Sequence, residues 1–210
     1  MRTRIKICGI TNPDDANSAL SAGADYLGLV FAESPRRISL DDARRIRGAV
    51  PAGTPLVGVF ADEMPDLVLP IAETLGLAAV QVRGWLDRND PAGFEVWHVI
   101  REETLPEPTS LPMVPLHTYH LDAHDPARAG GTGLVADWAW AKRAVEGGLR
   151  VFVAGGLTPD NVEQLVMDVR PFGVDVSSGL EASVGRKSPE RMRAFVERVR
   201  ASDHARPKRS

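Results

Sequence analysis

Short runs rich in Val, Ile and Leu recur along this chain, and stretches of helical period separate most of them. No other feature restricts its possible folds as much. The runs are Ile5 to Cys8, Tyr26 to Phe31, Pro55 to Phe60, Ala78 to Val82, Glu95 to Ile100, Thr118 to Asp122, Val151 to Ala154 and Gly173 to Val176. Helices are predicted to be opened by Thr11-Asn12-Pro13 and by Thr158-Pro159-Asp160, and to run over about Leu40 to Ala49, Pro65 to Leu75, Asp137 to Glu146 and Pro189 to Arg200. Strand, helix, strand in regular alternation is the pattern of a parallel sheet. Gly28-Leu29-Val30-Phe31-Ala32 and Val57-Gly58-Val59-Phe60-Ala61 end alike, an internal repeat one strand-helix unit long. Between Gly84 and Leu116 the alternation weakens. Pro106, Pro108, Pro112 and Pro115 argue against regular helix there, so the fourth and fifth helices are expected to be degraded.

Eight such strands fit either a closed barrel or a doubly wound open sheet, and side-chain parity separates the two. Ile5 and Ile7 alternate with Lys6 and Cys8, Val80 and Val82 with Gln81 and Arg83, Tyr119 and Leu121 with His120 and Asp122, Val174 and Val176 with Asp175 and Ser177. An open parallel sheet covered on both faces would be apolar on both. In a barrel the outward parity packs on helices, and inward residues at the carboxyl ends line an active site. The fold is therefore expected to be α/β, a (β/α)8 TIM barrel, with residues 1–201 as a single domain. Residues 202–210 lack apolar periodicity and are expected to form a disordered tail.

The formal net charge of -3, from 25 Lys and Arg against 28 Asp and Glu, gives no field for nucleic acid or an anionic membrane. Neither partner is expected. Cys8 is the only cysteine, which rules out intrachain disulfides and a thiolate-rich metal site within one chain. No apolar stretch approaches bilayer length and no signal-peptide core opens the sequence, so a soluble, unprocessed cytoplasmic protein is expected.

Gly155-Gly156-Leu157 follows the seventh strand and Ser177-Ser178-Gly179 the eighth. Glycines let backbone N–H groups approach an anion closely, and the loops after these two strands build the usual phosphate site of a barrel. Gly155, Gly156, Ser177, Ser178 and Gly179 are thus the expected phosphate-binding residues, although tight turns alone use the same residue types. Gly130-Gly131-Thr132-Gly133 satisfies part of a dinucleotide fingerprint. The second strand that would end in an acidic residue about 20 positions on is missing, so this loop reads as a flap and no nicotinamide or flavin cofactor is expected. His117, His120, Asp122 and His124 are the only cluster resembling metal ligands, and two further ligands are not evident; no metal is expected. Cys8 sits at the carboxyl end of the first strand on the polar parity. Its thiol could serve as a base if a positive group lowers its pKa from about 8.5. Asp122 occupies the equivalent end of the sixth strand, where partial desolvation would suit a general acid.

Lys6-Ile7-Cys8-Gly9-Ile10-Thr11 resembles the opening signature of the phosphoribosylanthranilate isomerase family. Phe31 to Ile38 with Ser34-Pro35-Arg36, Ala79 to Gly84, Leu121-Asp122 with Gly130 to Gly133 and Asp137-Trp138, Ala154 to Leu157 and Asp175 to Glu181 are similar to its later motifs. The resemblance spans about residues 4 to 200. It implies a cofactor-free Amadori rearrangement of a small phosphorylated sugar, N-(5-phosphoribosyl)anthranilate, in tryptophan biosynthesis. Asp122 would be the general acid and Cys8 the general base, on opposite sides of the barrel mouth. Arg36 would face the anthranilate carboxylate, and Gln81, Arg83 and Asp175 would also bind substrate. Arg83 stands where the family usually has His, and Ala136 where an aromatic is common. The alternatives are the aminoaldose isomerase of the histidine pathway, which typically has Asp at the place of Cys8, a metal-dependent sugar-phosphate epimerase using His120 to His124, and an inactive barrel that binds a phosphate metabolite.

Overall fold

The computed structural model describes residues 2–61, 65–83, 93–101, 105–111, 117–122 and 135–205. Eight strands, β1 (Arg4–Cys8), β2 (Tyr26–Val30), β3 (Leu56–Val59), β4 (Ala79–Arg83), β5 (Glu95–Arg101), β6 (His117–Asp122), β7 (Val151–Ala154) and β8 (Gly173–Val176), pair in sequence order and close into one barrel. Every pairing is parallel, and β8 returns to β1 with Ile5 opposite Val174 and Lys6 opposite Asp175. Helices α1 (Pro13–Ala22), α2 (Leu40–Ala49), α3 (Pro65–Leu75), α4 (Val135–Glu146), α5 (Val162–Val169) and α6 (Pro189–Ala205) surround it. A short hairpin, β9 (Glu181–Ser183) and β10 (Arg186–Lys187), stands between β8 and α6.

Local signals account for the helix starts. Asn12 accepts a hydrogen bond from the Asp15 amide at 2.9 Å with Pro13 at the first helical position, and Ser39 and Asp42 close a reciprocal capping box on α2. Among the described residues no α-helix lies between β4 and β5 or between β5 and β6. The described part of the second connection holds a 3-10 turn, Pro108–Ser110, beside which the Trp140 indole of α4 donates to the Pro106 carbonyl at 2.7 Å. The prolines that remove helical donors thus leave carbonyls for a neighbouring helix to use.

The parity expected of a barrel is present. Ile5, Ile7, Val80, Val82, Tyr119, Leu121, Val174 and Val176 all belong to the main apolar core shared with the helices. Inside the barrel a second cluster, Val57, Ala79, Trp97 and Phe152 with Tyr26 and Phe172 against it, forms an aromatic floor. Trp97 stacks on Phe152 at 4.4 Å, and Tyr26 meets both rings edge-on. Nearer the carboxyl ends come the inward polar side chains Lys6, Gln81, His120 and Asp175. Above them Cys8, Val30 and Ala32 cluster with Val59 and Ala61 at the mouth. The internal repeat is a ladder in space: Gly28 pairs with Val57, Val30 with Val59, and Phe31 stacks on Phe60 at 5.1 Å.

Two expectations at the chain's end are corrected. Helix α5 starts at Val162 rather than at Thr158, because the Asn161 side chain accepts from the Thr158 amide at 2.9 Å and donates to the Gly156 carbonyl, closing a turn first. The disordered tail does not begin at Ser202, since α6 runs to Ala205. Ser202 extends the buried stripe of Met192, Phe195, Val196 and Val199, its hydroxyl satisfied by the Arg198 carbonyl at 2.8 Å, and Asp203 accepts from the amide and hydroxyl of Thr3. Burial of a small polar group that bonds within its own helix costs little, and apolar periodicity does not register it.

Candidate active site

The carboxyl ends of β1, β2, β4, β6, β7 and β8 bring most of the expected site residues to one mouth. Cys8 ends β1 and Asp122 ends β6, three steps round the barrel through β8 and β7 and so one short of directly opposite. Asp122 is half-buried and Cys8 is buried. Arg83 ends β4 as an exposed side chain whose backbone amide donates to the Ala61 carbonyl. The flap residues Gly130, Gly131, Thr132 and Gly133, like His124, lie outside the described residues.

Below Cys8 lies a buried charge network. The Lys6 ammonium, with none of its side chain exposed, donates to Asp175 Oδ2 at 2.7 Å and to Gln81 Oε1 at 3.0 Å. The same Oδ2 meets His120 Nε2 at 2.7 Å, while Asp175 Oδ1 and His120 Nδ1 have no hydrogen-bond partner among the described residues. Burial alone would push the Asp175 carboxyl up, but the Lys6 charge and the His120 hydrogen bond outweigh it and hold it at about 2. Burial would likewise lower Lys6, and the facing Asp175 carboxylate instead keeps it above its ordinary range. His120 thus shares the Asp175 carboxylate with Lys6. Among the described residues no three His, Cys, Asp or Glu side chains converge as a metal would require.

Cys8 departs from expectation. Its burial pushes the thiol up, and the opposing Lys6 charge does not bring it back to its ordinary value. A nearby cation is present as anticipated, but the Asp175 carboxylate that balances it also acts on the sulfur.

Arg36 is engaged more closely than a free loop arginine. Its Nε and Nη2 donate side by side to Glu181 Oε1 and Oε2 at 2.6 and 2.7 Å. Such a fork uses two of the five guanidinium N–H donors and fixes the plane of the group. Lys187, buried in β10, donates to Glu181 Oε1 at 3.1 Å and to the Ser177 carbonyl at 3.1 Å. Burial opposes the Glu181 charge, yet Arg36 and Lys187 together hold its carboxyl at about 2. The hairpin thus ties Arg36 to the loop after β8. Glu181 and Lys187 escaped sequence reasoning, although Glu181 closes the Asp175-to-Glu181 motif, because no periodicity reports a partner so far along the chain.

The loops after β7 and β8 pack directly on each other. Gly155 and Gly156 adopt left-handed backbone, with φ of 93° and 59°, and Ser178–Leu180 forms a 3-10 turn. A Cβ on Gly179 would lie 1.9 Å from the Leu157 carbonyl oxygen. The two loops therefore make one surface at the mouth, with Gly156 and Ser178 exposed on it.

Comparison with known proteins agrees with this geometry. The sequence profile of the family described as N-(5'phosphoribosyl)anthranilate (PRA) isomerase matches residues 5–198. The N-(5'-phosphoribosyl)anthranilate isomerase of Geobacter sp. (strain M21) is 46% identical over 200 residues, covering 92% of this chain and 96% of that one. Its counterpart from Trichlorobacter lovleyi is 41% identical over 201 residues, with the same coverage. Among solved structures, the phosphoribosyl anthranilate isomerase of Thermotoga maritima superposes with a TM-score of 0.78 at 33% identity, covering 95% of this chain and 99% of that one. Another, in complex with reduced 1-(o-carboxyphenylamino)-1-deoxyribulose 5-phosphate, gives 0.75 at 32% identity with the same coverage. With a closed barrel and close relatives along nearly its whole length, this chain belongs to the phosphoribosylanthranilate isomerase family.

Proposed function

We propose that this chain rearranges N-(5'-phosphoribosyl)anthranilate to 1-(2-carboxyphenylamino)-1-deoxyribulose 5-phosphate without a cofactor, with Cys8 as general base and Asp122 as general acid. The observation that carries the assignment of roles is the placement of one thiol and one carboxyl at the ends of β1 and β6, facing a mouth that the β7 and β8 loops also line. An isomerisation moves protons and redistributes electron pairs, so an acid and a base suffice. Asp122 gives its proton to the furanose ring oxygen. The C1'–oxygen bond breaks, leaving a C4' hydroxyl and an iminium between C1' and nitrogen. The Cys8 thiolate removes the C2' proton, and the released electron pair forms the C1'–C2' double bond of a neutral enolamine. Loss of the C2' hydroxyl proton and protonation of C1' then give the aminoketone.

The remaining residues bind. Gly155, Gly156, Ser177, Ser178 and Gly179 hold the phosphate through backbone N–H groups and hydroxyls. Arg36, its fork on Glu181 already made, presents its outer nitrogen edge to the anthranilate carboxylate, with Arg83 near the same end of the substrate. Gln81 and Asp175 line the mouth's lower wall beside the ribose. Loss of anthranilate-type fluorescence on incubation with phosphoribosylanthranilate is the direct assay. Cys8→Ala and Asp122→Asn should each cost about 10²–10⁴-fold in turnover while circular dichroism stays unchanged. A variant within tenfold of the parent would refute the role of that residue.

A further inference from the structure

We propose that Lys6 is a positioning residue of this site: its buried ammonium, fixed between Asp175 and Gln81, is the counter-charge that favours the thiolate of Cys8 against the burial that opposes it. Lys6 precedes Cys8 by two residues, so both side chains leave β1 toward the barrel interior. The ammonium cannot swing to solvent, because its side chain is fully buried and it is bonded on two sides at 2.7 and 3.0 Å. It acts electrostatically on the Cys8 sulfur from that fixed point.

A buried lysine has a cost that an apolar side chain of similar volume would avoid, since desolvating an ion pair often exceeds its Coulomb gain. The aromatic floor beneath it shows that this barrel fills its interior with apolar groups elsewhere. A charge retained at this depth, directly under the one thiol, is explained by what it does for that thiol. Among the described residues the charged groups facing Cys8 are Lys6 on β1, Asp175 on β8, Lys187 on β10 and Arg36 after β2, with Asp122 at the end of β6 on the same mouth. Lys187 and Arg36 share the Glu181 carboxylate. Lys6 shares Asp175 with His120. Because burial drives the thiol toward its neutral form, the cation beside it decides how much thiolate is available.

The chain's single cysteine makes the test specific, since an alkylating reagent reports on Cys8 alone. The rate of modification by iodoacetamide is followed against pH in the full chain, with kcat and KM measured over the same range. Lys6→Met should slow alkylation at pH 7.5 about tenfold or more, one pKa unit corresponding to about tenfold in thiolate below the pKa. The acidic limb of kcat should move to higher pH, with KM within about twofold of the parent. A folded Lys6→Met chain with the parent's alkylation profile overturns the proposal. If Lys6→Met fails to fold for want of a partner to Asp175, the Lys6→Met, Asp175→Asn double variant removes both charges; the same upward direction, smaller in size, is expected, and a parent-like profile again overturns it. The kinetic half rests on the reading of Cys8 as the base, whereas the alkylation half does not. An active Cys8→Ala variant would remove that catalytic reading and leave the effect of Lys6 on the thiol standing.

Discussion

Replacing Gly179 by Ala puts a methyl carbon 1.9 Å from the Leu157 carbonyl oxygen and 3.0 Å from its carbon. Both partners are backbone, so no side-chain rotation relieves the contact. Bringing the oxygen to even 3.0 Å requires the β7 and β8 loops to separate by about 1.1 Å. A charge-assisted hydrogen bond of about 2.9 Å does not survive an extension of that size, and each one lost to a phosphate is worth roughly 1.5–3 kcal/mol. Gly179→Ala should therefore raise KM for phosphoribosylanthranilate by about 10- to 150-fold and weaken competitive inhibition by inorganic phosphate by a similar factor. The fall in kcat should be much smaller, because the acid and base stand on β6 and β1. Gly156→Ala is the internal comparison: its φ of 59° strains any Cβ, but that Cβ would meet nothing within 4 Å. It should cost about 1–2 kcal/mol of stability, read as a lower Tm, and raise KM by a smaller factor. A KM for Gly179→Ala within twofold of the parent, or two variants with equal effects, would show that contact between the loops does not set the phosphate site.

Three further outcomes are expected. Arg36→Met should raise KM about 10- to 150-fold with little change in kcat, as lost uniform binding does, and Glu181→Gln should move KM the same way by less, because it loosens the fork without removing the guanidinium. An unaltered KM in an Arg36→Met, Arg83→Met double variant would exclude both arginines from the carboxylate. Asp175, held at about 2 from an ordinary 3.8, binds its proton less readily folded than unfolded; it should stabilise the fold by on the order of 2 kcal/mol above pH about 4 and lose that contribution as pH falls toward 2, so urea unfolding of Asp175→Asn should depend less on pH across that window than the parent's.

The barrel was legible because its strands state their own facing. Lys6 and Cys8 alternating with Ile5 and Ile7, or His120 and Asp122 with Tyr119 and Leu121, allow only an apolar outside and a polar inside. That also placed Cys8 and Asp122 at the mouth. Parity gives the side of a strand but not its height against distant neighbours. The meeting of Lys6 with Asp175 depends on barrel closure, and that of Arg36 with Glu181 on a hairpin of few residues. Pairings across such separations leave no local periodicity. The balance of charge at the thiol was half legible for the same reason: a nearby lysine was visible in sequence, whereas the carboxylate that offsets it was not.

Closure through β1 and β8 also bears on how the chain is made. The partner strand of β1 on one edge, and the carboxylate for Lys6, both arrive 169 residues after that lysine has been synthesised. At ordinary elongation rates that is on the order of ten to thirty seconds, during which the amino-terminal strand has an open edge and its ammonium no counter-ion. A compact state that buried Lys6 in that interval would bury it without the Asp175 carboxylate, which is strongly unfavourable. The lysine thus penalises premature collapse of the growing chain, and the penalty is lifted only when the last strand delivers Asp175.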